Sequence, residues 1–246
     1  MQRQYTVQVS SVQEMVYRTL RDKIVSMELK PGTIISTQEI ADSMSVSRTP
    51  VREAFIRLQR EELLDVAPQR STMVSKINMD RVYQERFIRE ALEIEAMQKF
   101  VEVATAESLN RMRRNIEKQY AAIAEQRYID FLELDNAFHQ AAFTETHEDL
   151  GRSIVQQMNG HYDRIRLISA WEGQIVSAAM QEHERYVDYI ERKDTARARK
   201  LLRTHLQALR VQEEILLTNW SEYFSDASIK ALKQENRLCV NSWGRA

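Results

Sequence analysis

The stretch Ser36–Lys76 constrains the fold more tightly than any other part of the chain. Ser36-x-x-Glu39 has the spacing of a capping box, in which serine and glutamate satisfy each other's orphan amides at a helix start. Ile40 and Met44 give that short helix one apolar face. Ser45-Val46 reads as a tight break, Ser47 as the cap of a second helix, and Pro50 is tolerated at its third position. Val51, Ala54, Phe55 and Leu58 recur at helical spacing and are expected to pack inward, leaving Arg48, Thr49, Arg52, Glu53 and Arg57 facing out. Leu63–Val66 and Thr72–Lys76 then read as two short strands around Ala67-Pro68-Gln69-Arg70-Ser71, a wing with an arginine near its tip. Two short helices joined by a tight turn, the second basic and hydroxylic at its start, have the geometry that enters a DNA major groove. The expected element is a winged helix-turn-helix. A plain interaction domain with a solvated charged face is the competing reading of the same residues.

Around this stretch, Met1–Ser10 is polar and expected to fray, and Val12–Met27 repeats apolar residues as an amphipathic helix. Leu29-Lys30-Pro31-Gly32 ends that helix, and Thr33-Ile34-Ile35 reads as a short strand. Net charge is −1, so no global basic signal points to nucleic acid. The footprint is local: residues 1–76 carry eleven Lys and Arg against nine Asp and Glu. The single cysteine, Cys239, excludes a disulfide framework within one chain and suits a reducing compartment. No apolar run approaches a membrane span, and no signal-peptide core opens the chain, so a cytoplasmic location is expected.

Beyond Pro68 there is no proline, and 29% of the chain is charged, which fits helices. Segments at roughly 80–103, 106–125, 128–146, 148–170, 173–192 and 194–219 are each opened by a capping residue or a polar break. A mainly α protein follows: residues 1–77 as the winged helix, 78–224 as an antiparallel bundle of about six helices, and 225–246 as a tail. In the tail, Asp226–Leu238 could add one more helix, and Cys239 and Trp243 suggest no mechanism.

Four bundle residues carry the chemistry. Asp135 and His139 are four apart and share a helix face with the apolar Phe131, Ala142 and Phe143, so the pair points inward. His183 and His205 flank the break at Lys193-Asp194-Thr195 almost symmetrically. In an antiparallel hairpin capped by Asp194 they would lie level, roughly 16 Å from the turn at ~1.5 Å rise per residue. One carboxylate and three imidazoles form a ligand set for a divalent metal, zinc first, with nickel, manganese or iron as alternatives. Each histidine taken singly also reads as a satisfied core residue. His147 and His161 have no partner at ligand spacing and are read as ordinary residues.

Val46-Ser47-Arg48-Thr49-Pro50-Val51-Arg52-Glu53-Ala54 resembles the recognition-helix signature of GntR-type bacterial transcription regulators, and Leu29-Lys30-Pro31-Gly32 resembles that family's turn before its first strand. The resemblance implies base-edge and phosphate contacts by Gln38, Ser47, Arg48, Thr49, Arg52 and the wing's Gln69 and Arg70. Glu62 and Ser71 depart from it, standing where glycine is usual.

Arg89-Glu-Ala-Leu92-Glu93, Asp135-Asn-Ala-Phe138-His139, Glu182-His183, Asp194-x-Ala196 and Thr204-His205-Leu206 resemble the FCD effector domain of FadR-like members of that family. The resemblance implies a divalent metal on Asp135, His139, His183 and His205, whose coordination is completed by a small carboxylate effector, often a sugar acid. Arg89 matches an arginine that often faces the effector pocket, although a salt bridge to Glu93 explains it equally well. Glu148 stands where relatives often carry asparagine. The function implied is a homodimeric transcription regulator on a short inverted-repeat DNA operator, controlled by the acid and catalysing nothing. A metal-dependent enzyme and a structural-metal protein are the alternatives from other classes.

Overall fold

The computed structural model describes residues 11–66, 71–173 and 176–243, with side chains through Gln234 in the last helix. The chain divides into two compact units, Met1–Lys76 and Ile77–Ala246. Gln69 and Arg70, the body of the wing loop, residues 1–10 and the side chains of Cys239 and Trp243 lie outside the described residues.

In the first unit, helix α1 spans Val12–Val25, strand β1 Ile34–Ile35, α2 Thr37–Ser43, α3 Arg48–Arg60, β2 Leu64–Val66 and β3 Thr72–Val74. The Ser36–Glu39 capping box forms in full at the start of α2. Ser45 makes the break with φ 53°, a left-handed conformation. Ser47 occupies the N-cap of α3 but makes no side-chain capping bond, so its hydroxyl is not committed to the helix as the sequence suggested. The strands form an antiparallel sheet in the order β1-β3-β2, with Ile34 opposite Met73 and Leu64 opposite Val74. Val51, Ala54, Phe55 and Leu58 are buried with Val16, Leu20 and Ile24 of α1 and Val74 of β3. Val12 and Met15 stay exposed, because α1 turns Val16, Tyr17 and Leu20 to the core instead.

The second unit is helical: α4 Met79–Val103, α5 Ala106–Ala124, α6 Tyr128–Glu145, α7 Asp149–Gln157, α8 Gly160–Glu172, α9 Val176–Glu191, α10 Thr195–Gln207, α11 Leu209–Asn219 and α12 Asp226–Trp243. Helix α4 packs on α6, α8 and α10, and α5 packs on α6 and α9. The core includes Ile94, Met97, Phe100, Ile116, Phe138 and Leu202.

Two expected helices are each divided. The 148–170 segment breaks at Met158-Asn159, where Glu85 of α4 accepts hydrogen bonds from the amides of His161 and Tyr162 at 2.9 and 2.8 Å. A carboxylate on first-turn amides favours a new helix start at that point. The 194–219 segment kinks at Ala208, next to the Leu206 carbonyl that accepts from the Tyr162 hydroxyl at 3.2 Å. A side chain entering the backbone ladder in this way is a recognised cause of a kink. The tail helix begins against its own unit: Ser225 N donates to Ile77 O at 2.9 Å, and the Ser228 hydroxyl accepts from Met79 N at 3.0 Å.

Candidate metal centre and DNA-reading helix

Helix α6 carries Asp135 and His139 one turn apart, α9 carries His183, and α10 carries His205. Asp194 caps α10 by accepting from Arg197 N at 3.0 Å. The hairpin of α9 and α10 sets its two histidines level, with Nε2 atoms 3.3 Å apart. His139 Nε2 lies 3.2 Å from His205 Nε2, and His183 Nε2 lies 3.3 Å from Asp135 Oδ1. Ligand atoms of all four residues fall within 4.8 Å of one another. Asp135, His139 and His183 are buried, and His205 is half-buried.

The outward nitrogen of each ring decides how the inward one is used. His139 Nδ1 faces Glu93 Oε2 at 2.9 Å, His205 Nδ1 faces Glu182 Oε2 at 2.8 Å, and His183 Nδ1 faces Gln119 Oε1 at 3.1 Å. The Gln119 amide nitrogen donates to Asn115, which turns its oxygen toward the ring. All three partners accept, so each Nδ1 bears the proton and each Nε2 presents a lone pair. Burial pushes His139 and His183 below the usual imidazole range, which keeps them neutral. Burial alone would raise Asp135, but the Arg166 guanidinium holds its carboxyl well below the usual range.

Three lone pairs and a carboxylate thus converge with no proton between them, an arrangement that is repulsive unless a cation is shared. Bonds of ~2.0–2.2 Å to a first-row ion require adjacent donors about 2.9–3.5 Å apart, and three donor pairs here meet that condition. The donor set therefore fits a divalent metal. His161 stands outside the cluster, accepting through Nδ1 from Asn78 N at 3.1 Å.

Arg89 is 2% exposed and bonded to Glu93 of its own helix turn, so it acts through the partner of His139. The arginine that reaches Asp135 is Arg166 of α8, which also bonds Asp163 and Asn136 through Nη1, each at 2.6 Å. A cavity beside the cluster is lined by Asp135, His205, Arg166 and Tyr162, and by apolar side chains from α6, α8, α9 and α11.

In the first unit, Gln38, Ser47, Arg48, Thr49 and Arg52 are all exposed. Gln38 donates to Asp42 at 2.6 Å, while Arg48 and Arg52 make no ion pair among the described residues. Arg57 departs from the expected outward face. It donates to Glu14 at 2.7 Å, and its guanidinium lies 3.4 Å over the ring of Tyr17. Tyr17 is buried on the core face of α1 with Leu20 and Ile24, and its ring supplies the surface that draws Arg57 back.

The profile described as "Bacterial regulatory proteins, gntR family" matches residues 12–74, and the "FCD domain" profile matches residues 86–208. A Streptomyces ambofaciens protein, "Uncharacterized HTH-type transcriptional regulator in unstable DNA locus", is 32% identical over 194 residues, 79% of this chain and 81% of that one. The chain belongs to the GntR family. The "HTH-type transcriptional repressor RspR" of Escherichia coli (strain K12) is 29% identical over 215 residues, covering 87% of this GntR chain and 94% of that protein. In fold it resembles E. coli McbR/YncC, with a TM-score of 0.71 at 21% identity over 86% of this chain and 99% of that one. GntR proteins are DNA-binding transcription regulators rather than enzymes, and they respond to small molecules. No helix among the described residues is long and apolar enough to cross a membrane.

Sequence reasoning about this GntR chain missed Arg166, Gln119 and Tyr162. Gln119 left a signal, as a polar residue on the Leu109–Met112–Ile116 face of α5. Arg166 left none, because α8 buries Asp163, Arg164 and Leu167 alike and shows no contrast between its faces.

Proposed function

We propose that this chain is a FadR-like GntR regulator whose operator affinity is set by a small organic acid bound at a divalent-metal centre on Asp135, His139, His183 and His205. The observation that carries this reading is the three imidazole Nε2 atoms turned toward Asp135, each with its Nδ1 held by an acceptor. A bound ion, zinc first among the candidates, would supply an electrophilic centre for the carboxylate of the acid. Glu93, Gln119 and Glu182 hold the rings in register. Residues 1–77 serve as the DNA-binding domain and 78–224 as the effector and dimerisation domain, with 225–246 a C-terminal tail to which no role is assigned. Ser47, Arg48, Thr49 and Arg52 meet base edges or phosphates, with Gln38, Gln69 and Arg70 beside them. Two chains on a short inverted repeat present two such helices to successive half-sites. The acid changes operator affinity by a coupling of ~1–3 kcal/mol, and the setting is the cytoplasm.

Metal analysis of the purified protein tests the centre. The native chain should retain one equivalent of a divalent ion, and His183→Ala with His205→Ala should strip it. Stoichiometric metal in that double variant would refute the site. A bound acid that leaves operator affinity unchanged would refute the coupling.

A further inference from the structure

The cavity beside the cluster suggests which acid is sensed. We infer that the effector is a short monocarboxylic acid with an unhydroxylated, apolar body, and that Arg166 fixes its carboxylate. This rests on the acid-sensing reading above and narrows it, against the sugar acids that the family resemblance suggested.

The cavity, of about 70 Å³, brings Asp135, His205 and Arg166 to one lining. Arg166 lines this cavity, and its contacts to Asp135, Asp163 and Asn136 run through Nη1 and Nη2 and use three of its five donors, so none of them engages Nε–H. Arg89 cannot play this part, since it does not line the cavity among the described residues and is paired with Glu93. The planar fork of an arginine matches a carboxylate, so the charged end of the ligand belongs at Arg166.

The rest of the lining decides the body of the ligand. Phe131, Leu132, Ala170, Val176, Ala179 and Leu209 supply apolar wall. The two hydroxyls in the lining have their protons committed inside the protein: Tyr162 donates to Leu206 O at 3.2 Å, and Ser169 donates to Gln212 Oε1 at 2.9 Å. A chain of hydroxyl groups entering this space would be desolvated with few acceptors or donors to meet it, whereas methylene groups would be matched by the wall. Each unmatched hydroxyl should weaken binding by about tenfold.

Calorimetric titration of the full-length protein, with its metal content measured beforehand, tests this with two acids of equal length, butyrate and threonate (2,3,4-trihydroxybutyrate). Butyrate should bind at least about tenfold more tightly than threonate. Arg166→Gln should weaken butyrate by about tenfold or more while the metal content stays at that of the native protein, and Arg166→Lys should recover part of the loss. Ala179→Leu, which fills the cavity away from the charged groups, should exclude butyrate with metal retained. Threonate binding as tightly as butyrate would overturn the inference, as would an Arg166→Gln protein that binds butyrate like the native one, or no binding of butyrate at millimolar concentration. If Arg166→Gln does not fold, the ranking of the two acids on the native chain decides. Repeating the titration after chelation keeps the two readings apart: absence of metal in the native protein defeats the centre, while the ranking of the acids sustains or defeats this inference in either state.

Discussion

Gln119 Oε1 lies 3.1 Å from His183 Nδ1, on the edge of the ring away from the ligand cluster. Glu93 and Glu182 orient His139 and His205 with a charge, whereas His183 is held by a neutral amide that is itself fully buried. Removing it changes no charge, whereas removing Glu93 would leave the buried Arg89 without its carboxylate partner. Gln119→Leu keeps the volume and the apolar packing of α5 but leaves Nδ1–H without its acceptor. Metal affinity should fall ~10–100-fold, read by competition with a chromogenic chelator, while the helical circular dichroism stays at that of the native protein. An unchanged affinity would show that packing against Phe138, stacked on His183 at 4.3 Å between centroids, positions the ring by itself.

The pair of Arg89 and Glu93 predicts how the helical unit responds to acid. Burial would raise the Glu93 carboxyl, but Arg89 and His139 outweigh it and pull it from its ordinary 4.5 down to about 2. A depressed carboxylate binds protons more weakly folded than unfolded. Its contribution is therefore complete above about 4.5 and is lost as pH falls through that value toward 2. The size is about 3 kcal/mol. Denaturant titrations at pH 7 and pH 3 should show this loss in the native chain and a shallower one in Glu93→Gln, which starts from lower stability at pH 7. Equal slopes in the two proteins would place the acid sensitivity elsewhere.

What the sequence disclosed divides along a physical line. Patterns that repeat within one element were readable: the capping box at Ser36, the core stripe Val51–Ala54–Phe55–Leu58, and the inward face shared by Asp135 and His139. The level pairing of His183 with His205 was also readable, because Asp194 fixes the turn and helical rise fixes the rest. Features that depend on a contact from another element were not. The break before Gly160 needs the Glu85 carboxylate arriving from α4, and the kink at Ala208 needs the Tyr162 hydroxyl from α8. Arg166 is polar on a helix buried nearly all round, where no amphipathic contrast marks a functional side chain. Spacing alone places Arg57 outward, and only the position of Tyr17 on α1 shows why it folds back.

Glu62 holds φ 59° directly after α3, where a side chain is strained against its own backbone. The following residue, Leu63, is fully buried and donates from its amide to Leu58 O at 2.9 Å, so the chain cannot relax out of this turn without unseating the core. Glycine accepts the same conformation freely. Glu62→Gly should therefore stabilise the first unit by ~1 kcal/mol, since any ion pair from an exposed glutamate offsets little of this. Thermal melting of the native and variant proteins checks the sign, and a lower midpoint in the variant would mean that the Glu62 side chain contributes more than its strain costs.

The two arginines on α3 should separate when each is replaced. Arg52 is exposed and unpaired among the described residues, so its side chain contributes nothing visible to folding and is available to a duplex. Arg57 lies over Tyr17 and bonds Glu14, and the Tyr17 hydroxyl in turn donates to Glu61 at 2.6 Å. Arg52→Ala should leave the melting midpoint in place and cost ~1–3 kcal/mol of operator binding, enough to erase a footprint at protein concentrations that protect the site in the native case. Arg57→Ala should do the reverse, losing ~1 kcal/mol of stability through the ring contact while operator affinity changes little once folded protein is counted. Because the two positions are five residues apart on one helix, a general disturbance of α3 would move both quantities in both variants. Only opposite patterns in the two proteins agree with Arg52 reading DNA and Arg57 bracing the helix that carries it.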